Sequence, residues 1–407
     1  MIGVVPAVPV VLSAERHREA AEVFGGAYLV GPVTDRMWSR SAATYKGSTV
    51  HALLEDDDSI GAVARAFLVT LAVPGGSVPA AGVSSVGVRA DRRRRGHLRS
   101  LMTAQLEHLR AAGAVAATLR ATEATIYERF GYGVASAYGT LTVDRARARL
   151  RTGAAPERAL RLVNPTAALQ VLPQVHDRLF SSRPGAISRP TWWWTNQVAR
   201  MLDKDEPLWV LCTEDGDGEV DGWVIYTATH TDTPSGEHRA QVSVVDLVGA
   251  TPEVELALWQ AALAIDLAET VVAQGRPLDD DLPLALVDPR AARLSSVEDE
   301  TWLRLLDVPT ALSARTYGSA DAVVLAVDDQ LVPENSGRYR VGTDGAERTG
   351  ATAEIEIGVA ELASVYLGGT RFAALATAGR VRGDAPALRR ADLLFASDRM
   401  PWSGTYF

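Results

Sequence analysis

The sequence predicts a mixed chain, two α/β domains followed by an α+β domain, and three observations carry that reading. A length of 407 residues, at roughly 150 residues per domain, leaves room for two or three domains that each bury a core. Strand-period and helix-period apolar runs alternate over residues 1–145 and again over 208–272. Beyond residue 300 the strands are short, the helical stretches are rich in Ala and Leu, and the alternation stops. The expected domains are 1–148, 149–295 and 296–407.

In the first domain a helix is predicted near 13–24, with strands near 48–54 and 60–72. VSSVGV, a long helix, VAATLRAT, a short helix and VASAYGTLTV follow. The long helix places Leu98, Leu101, Met102, Leu106 and Leu109 on one face. The short helix carries Tyr127 and ends near Phe130, with Gly131 as a natural C-cap. RARARLRTGAAPERALR, ahead of Pro165, reads as a connector. The second domain has strands near 208–213, 220–230 and 238–248. Thr251 as N-cap and Pro252 at the first helical position then open a helix whose periodicity runs to Val272. VSSVGVRADRRRRGHLRSLMTAQLEHL and VSVVDLVGATPEVELALWQAALAI both pass from a β-branched strand through a short loop into an amphipathic helix. The two domains therefore read as a repeat whose second copy lacks the arginine and glycine loop. The last domain is read as a helix near 301–306, strands near 322–328 and 338–341, and two further helices.

Composition excludes several classes. Lys+Arg 41 against Asp+Glu 50 gives a net charge of −9, which opposes capture by nucleic acid or anionic lipid and leaves cationic or neutral partners. With 47% hydrophobic and 22% charged residues, neither disorder nor a membrane bundle fits. Gln260, Asp266 and Glu269 interrupt the best apolar stretch, so no spanning helix is expected. The N-terminus lacks a basic region ahead of its apolar stretch and carries Pro6 and Pro9, so no signal peptide is expected. Cys212 alone makes neither an internal disulfide nor a Cys-rich zinc site, which points to a reducing, cytoplasmic setting. Seven histidines without HxxxH or HExxH spacing propose no metal. Cys212 itself, within LWVLC, reads as a buried thiol, and residues 279–281 read as an exposed turn. The run Trp192, Trp193 and Trp194 suits a core, a subunit interface or a substrate contact.

The segment SVGVRADRRRRGHLRSLM is the most informative. A strand passes into a loop holding Gly96 and then into a helix, so unpaired N–H groups, the positive end of the helix dipole and several guanidinium groups converge, as a pyrophosphate requires. No GxxxxGK[ST] is present, and no GxGxxG opens a helix with a later acid, which disfavours a nucleotide hydrolase and a dinucleotide-dependent dehydrogenase.

The order strand, R-R-x-G loop, helix, strand, Y-E-R-F-G-Y resembles the acetyl-CoA-binding core of GCN5-related N-acetyltransferases. Its details are similar to the enhanced intracellular survival (Eis) family, and WLRLLDVPTALSARTYG, AEIEIGVAELASVYLGG, ADLLFASD and the aromatic C-terminus extend the likeness, in order, across essentially the whole chain. The resemblance implies tandem acetyltransferase domains, a sterol-carrier-protein-like C-terminal domain and a homohexamer. It also implies that Val86, Gly87 and Val88 pair with the pantetheine arm of acetyl-CoA as an added strand does. Arg94, Arg95, Gly96, His97, Leu98 and Arg99 are implied to cradle the pyrophosphate, with Thr122 and Glu123 beside the acetyl-CoA arm. Leu98 stands where the wider superfamily usually has glycine or alanine. Tyr127 matches the family's proton donor and Phe407 the residue whose α-carboxylate accepts the amine proton, while Trp38, Ser85 and Trp194 are implied to line the substrate cleft. The expected activity is acetyl transfer from acetyl-CoA to a primary amine, a small molecule or a lysine-type group, by direct attack on the thioester. The alternative is a non-catalytic acyl-CoA or lipid-binding protein. GGAYLVGP carries no acid and Tyr406 is the penultimate residue, so the carboxylate lining that polycationic aminoglycosides require is missing from these segments.

Overall fold

The computed structural model describes residues 8–202, 207–232 and 238–407, and the chain forms two compact units. The first holds the residues up to Ser136 together with Glu300–Asp398 and Tyr406–Phe407, and the second holds Ala137–Asp299 and Arg399–Thr405.

In the first unit the strands are β1 (Val10–Val11), β2 (Ser48–Leu54), β3 (Ile60–Val73), β4 (Gly76–Val88), β5 (Ala116–Leu119) and β6 (Gly133–Val134), and the helices are α1 (His17–Ala27), α2 (Asp35–Tyr45), α3 (His97–Ala111) and α4 (Ala124–Tyr127). VSSVGV is thus the end of a longer strand. Helix α2, which the sequence reading passes over, is capped by the Thr34 side chain accepting from the Met37 N–H. β2, β3 and β4 pair antiparallel, whereas β4 and β5, joined by α3, run parallel. On one face Val50, Ala52 and Val63 pack with α1 and Tyr45; on the other, Ala66, Ala81 and Val83 pack with Met102, Leu106 and Leu109 of α3.

Trp302–Leu305 is a strand, where a helix was predicted near 301–306. It lies antiparallel between β5 and β6, and all four of its residues are buried. Its one charge, Arg304, is paired internally with Asp329 at 2.8 Å, and four residues covered on both faces are too few for spacing to separate a strand from a buried helix. The same unit holds a five-stranded sheet in the order Gly345–Arg348, Gly337–Gly342, Val323–Asp328, Ile355–Gly358, Val381–Gly383. Its helix Val359–Tyr366 reaches the F-G-Y-G turn: a Cβ on Gly131 would meet Arg304 and Val359, and one on Gly133 would meet the Ala360 carbonyl. Gly131 also ends its helix at φ +81°, as the C-cap reading requires.

The second unit repeats the plan. His238–Gly249 and Ala268–Pro277 are a parallel pair joined by the helix Pro252–Leu263, capped by Thr251. The helix therefore stops short of the predicted Val272, and Ala268–Pro277 is a strand. Ala137–Asp144, the second half of VASAYGTLTV, pairs with Ala268–Pro277 and with Ala292–Asp299. The position beside the parallel pair is thus filled in each sheet by a strand from the end of the other repeat. The breaks between the two units fall at 136/137 and 299/300. The stretch read as a connector belongs to the second unit: Arg147 donates to Asp288 at 2.6 Å, and Leu160–Val163 pairs with Leu208–Glu214. Residues 279–281 are not a solvated run, because Asp280 is buried against Arg276 at 2.7 Å and Asp279 accepts from Arg183. Cys212 is buried as predicted, and burial pushes its thiol up to about 11. No helix among the described residues is long and apolar enough to cross a membrane.

Candidate active site

Strands β4 and β5 pair only over Ala80–Ala116, Ala81–Ala117 and Gly82–Thr118. Beyond Gly82 they part, and the β3–β4 ladder shifts register between Val63 and Arg65, a bulge that falls at Ser85, whose φ is +53°. Val86, Gly87 and Val88 lie on this diverging stretch, with Gly87 and Val88 paired to β3 on one side and, among the described residues, no strand on the other. Such an edge suits an added extended chain. Gly87 leaves room for α1, since a Cβ there would press on Ala27 and Phe24.

The loop that follows places Arg94 at φ +63° and Gly96 at φ +86°, and a Cβ on Gly96 would meet open space. His97, Leu98 and Arg99 open α3, where first-turn N–H groups have no intrahelical acceptor. Arg94, Arg95 and Arg99 are exposed, and among the described residues none forms an ion pair. Arg92 and His97, by contrast, are tied to Glu55 at 2.7 and 3.3 Å. Leu98, at the position where the resemblance leads one to expect a small residue, packs against the cluster containing Met102 and Tyr127. Thr122 and Glu123 are exposed where β5 passes into α4.

Tyr127 is 7% exposed, edge-on to Tyr132 at 5.9 Å. Burial first, and the Glu123 charge second, push its phenol up to about 12. It shares a cluster with Ala66 and Val83, one rung of the β3–β4 ladder. The adjacent rung is Phe67–Gly82, and strand alternation turns Phe67 to the opposite face. There the Phe407 ring meets Phe67 edge-on at 5.1 Å. Tyr127 thus belongs to the cluster on the Ala66–Val83 face, whereas Phe407 meets Phe67 of the next rung, which faces the other way, where β4 leaves β5.

Around Phe67 and the chain end the structure adds Arg65, Tyr45 and Arg120, which escaped the sequence reading, to Trp38 and Ser85, which did not. The Arg65 guanidinium lies over Tyr45 at 5.0 Å and over Phe67 at 5.5 Å, and donates to the Ser85 hydroxyl at 3.4 Å. Burial lowers it to about 10. Trp38 is half-buried against Tyr45 at 5.4 Å. Arg120, held by the buried Glu300 at 2.9 Å, lies over the Tyr406 ring at 5.1 Å. Trp194, implied to line the cleft, instead sits 2% exposed in the core of the second unit beside Trp193, Trp223 and His176.

Comparison with known proteins points to one family. Residues 11–135 and 185–305 each match an acetyltransferase (GNAT) domain, and 308–404 match a sterol carrier protein domain. An uncharacterized N-acetyltransferase of Streptomyces coelicolor is 38% identical over 83% of each chain. N-acetyltransferase Eis of Mycobacterium tuberculosis is 34% identical over 91% of each. The chain belongs to the Eis family of GCN5-related N-acetyltransferases. Eis1 from Mycobacterium abscessus, a solved relative, shares the fold at a TM-score of 0.88 and 34% identity, over 98% of this chain and all of that one. Like other members of the Eis family, this protein is an acetyl-CoA-dependent acyltransferase acting on amines.

Proposed function

We propose that the cleft where β4 parts from β5 holds the acetyl-CoA thioester, with Tyr127 as proton donor and the Phe407 α-carboxylate as proton acceptor. The buried Tyr127, in the cluster that contains Ala66 and Val83, together with the Phe407 ring on Phe67 of the adjacent rung, carries this reading. The backbone of Val86–Val88 takes the pantetheine arm, the 94–99 loop takes the pyrophosphate, and Thr122 and Glu123 flank the arm. The amine nitrogen bonds to the thioester carbon, the carbon–sulfur bond breaks, Phe407 takes the amine proton and Tyr127 gives its own to the departing thiolate. A thiol titrates near ~8.5, so a phenol held well above 10 is still protonated when the thiolate leaves.

Phe407 meets Phe67, and Phe67 in turn neighbours the Arg65 cation, which lies over Tyr45, bonds Ser85 and adjoins the Trp38–Tyr45 pair, so the groups named here are aromatic, hydroxyl and cationic. This lining favours an amine with one cationic centre and an aromatic or aliphatic body over a polycation. An amine panel read by free-thiol release tests the reading. Arylalkylamines are expected to turn over faster than aminoglycosides, and the reverse order rejects the lining argument. A C-terminal tag, or deletion of Phe407, is expected to abolish turnover while an N-terminal tag is tolerated; wild-type rates in both altered proteins remove the carboxylate role. The cytoplasmic homohexamer implied by the family belongs to the same proposal, and a light-scattering mass far from six 43.5 kDa chains rejects the hexamer.

A further inference from the structure

We infer that the second unit's own cleft is a binding site for the chain segment 399–405, and that Arg189 is a positioning residue for acetyl transfer through that segment; the second clause rests on the role proposed for Phe407.

The cleft is the counterpart of the one between β4 and β5. His238–Gly249 and Ala268–Pro277 pair in parallel as far as Val244–Ala273 and then part, and the neighbouring ladder has a bulge between Ile225 and Tyr226. Here the diverging edges are taken by the protein itself. The Trp402 Nε1 donates to the Gly275 carbonyl at 2.7 Å, and Arg276, lying over the Trp402 ring at 5.3 Å, donates to the Leu247 carbonyl at 2.7 Å.

Arg189 lies at the centre. Its guanidinium donates twice to the Asp246 carboxylate, at 2.7 and 3.1 Å, and Trp223 Nε1 donates to the same carboxylate at 2.9 Å. Two further donors turn to the segment, with Nη2 to the Gly404 carbonyl at 2.9 Å and Nε to the Thr405 hydroxyl at 3.0 Å. Trp193 and Trp194 cover the cation at 4.0 and 5.1 Å. Upstream, Arg399 pairs with Glu255 at 3.3 Å, the Met400 N–H donates to Asp279 at 2.8 Å, and the Trp402 N–H donates to the Pro184 carbonyl at 2.8 Å. Gly404 adopts φ +59°, and a Cβ there would strike the Trp402 ring. Residues 399, 400, 402, 404 and 405 of the segment are thus each held, the last of them two residues before Phe407.

A buried ion pair adds little stability over an apolar pair of equal size, and its best-attested use is to select one arrangement among several. The arrangement selected here is the path of the segment. The second fold, empty of the arginine and glycine loop, keeps its cleft and binds a peptide where the first takes a cosubstrate arm.

Three variants test this: Arg189→Met, Thr405→Val and Thr405→Ser. Each is read by hydrogen exchange of the amides of residues 400 and 402–405, by kcat with an arylalkylamine, and by KM for acetyl-CoA. Thr405→Val loses one hydrogen bond to a charged donor, so exchange is expected to rise and kcat to fall about tenfold with KM for acetyl-CoA within about twofold, while Thr405→Ser stays near wild type. Arg189→Met is expected to lose ~10²-fold in kcat, the scale of an ångström misplacement. Faster exchange with unchanged kcat overturns the positioning role, and unchanged exchange in both Arg189→Met and Thr405→Val overturns the site. Should Arg189→Met fail to fold, the Thr405 pair decides. Phe407 deletion separates the two readings: if it leaves turnover intact, the carboxylate role fails, and the peptide site stands on the exchange data alone.

Discussion

Burial keeps Tyr127 a phenol well past the range in which an exposed tyrosine ionises, because the folded pKa is raised and proton loss moves to higher pH. The kcat–pH profile is therefore expected to show no descending limb near pH 10, and a limb centred there counts against Tyr127 as the donor. Tyr127→Phe should lower kcat by ~10²-fold with acetyl-CoA binding intact, measured by thiol release and by equilibrium titration. Arg94→Ala and Arg95→Ala should each raise KM for acetyl-CoA about tenfold, the worth of a charge-assisted hydrogen bond, and leave KM for the amine nearly unchanged. These residues were legible because a run of arginines ahead of a glycine and a helix is a local pattern. Arg65, Tyr45, Phe67 and Arg120 were not, since each becomes informative only when strands from distant sequence are laid side by side. One signal was available: Arg65 is the only charged residue in the apolar run IGAVARAFLV, and a cation buried in a central strand needs a reason.

At the level of the element, F-G-Y-G was read as a helix stop, and its second glycine had no reading until Val359–Tyr366 was seen against it. Gly133→Ala forces a methyl into the Ala360 carbonyl, which cannot turn aside as a side chain can. A loss of about 1–3 kcal/mol or more is expected, visible as a lower Tm, and an unchanged Tm argues against this packing. The seam between β2 and α3 carries a pH dependence. Burial first, and the facing His108 second, lower His51 to about 4, whereas an unfolded histidine titrates near ~6.5. The folded pKa is depressed, so the contribution is full above ~6.5 and is lost as pH falls toward 4, where the unfolded chain binds the extra proton. His51→Gln should flatten the fall of Tm over that window, and an identical slope in the variant rejects the account. The strand at 302–305 was misread for a reason of the same scale: four buried apolar-flanked residues carry no period.

For the whole molecule, the tandem repeat was legible because both copies keep the strand–loop–helix order, and the loss of the arginine and glycine loop marked the second copy. The strand exchange was not, since Ala137–Asp144 and Trp302–Leu305 satisfy either sheet equally well as sequence. A fragment of residues 1–148 lacks the strand that lies between β5 and β6, so it is expected to lack cooperative unfolding by calorimetry, and a sharp transition in that fragment would show that the first sheet closes without it. During synthesis the gap persists from the appearance of β6 until Trp302–Leu305 leaves the ribosome, a delay on the order of ten seconds at 5–20 residues per second. Through that interval the nascent chain carries an open apolar slot flanked by unpaired strand edges, the form most prone to wrong pairing with a neighbouring copy. A chain released early by a premature stop codon before residue 302 can never fill the slot, and its fate is capture by chaperones or degradation, however intact its arginine loop and Tyr127.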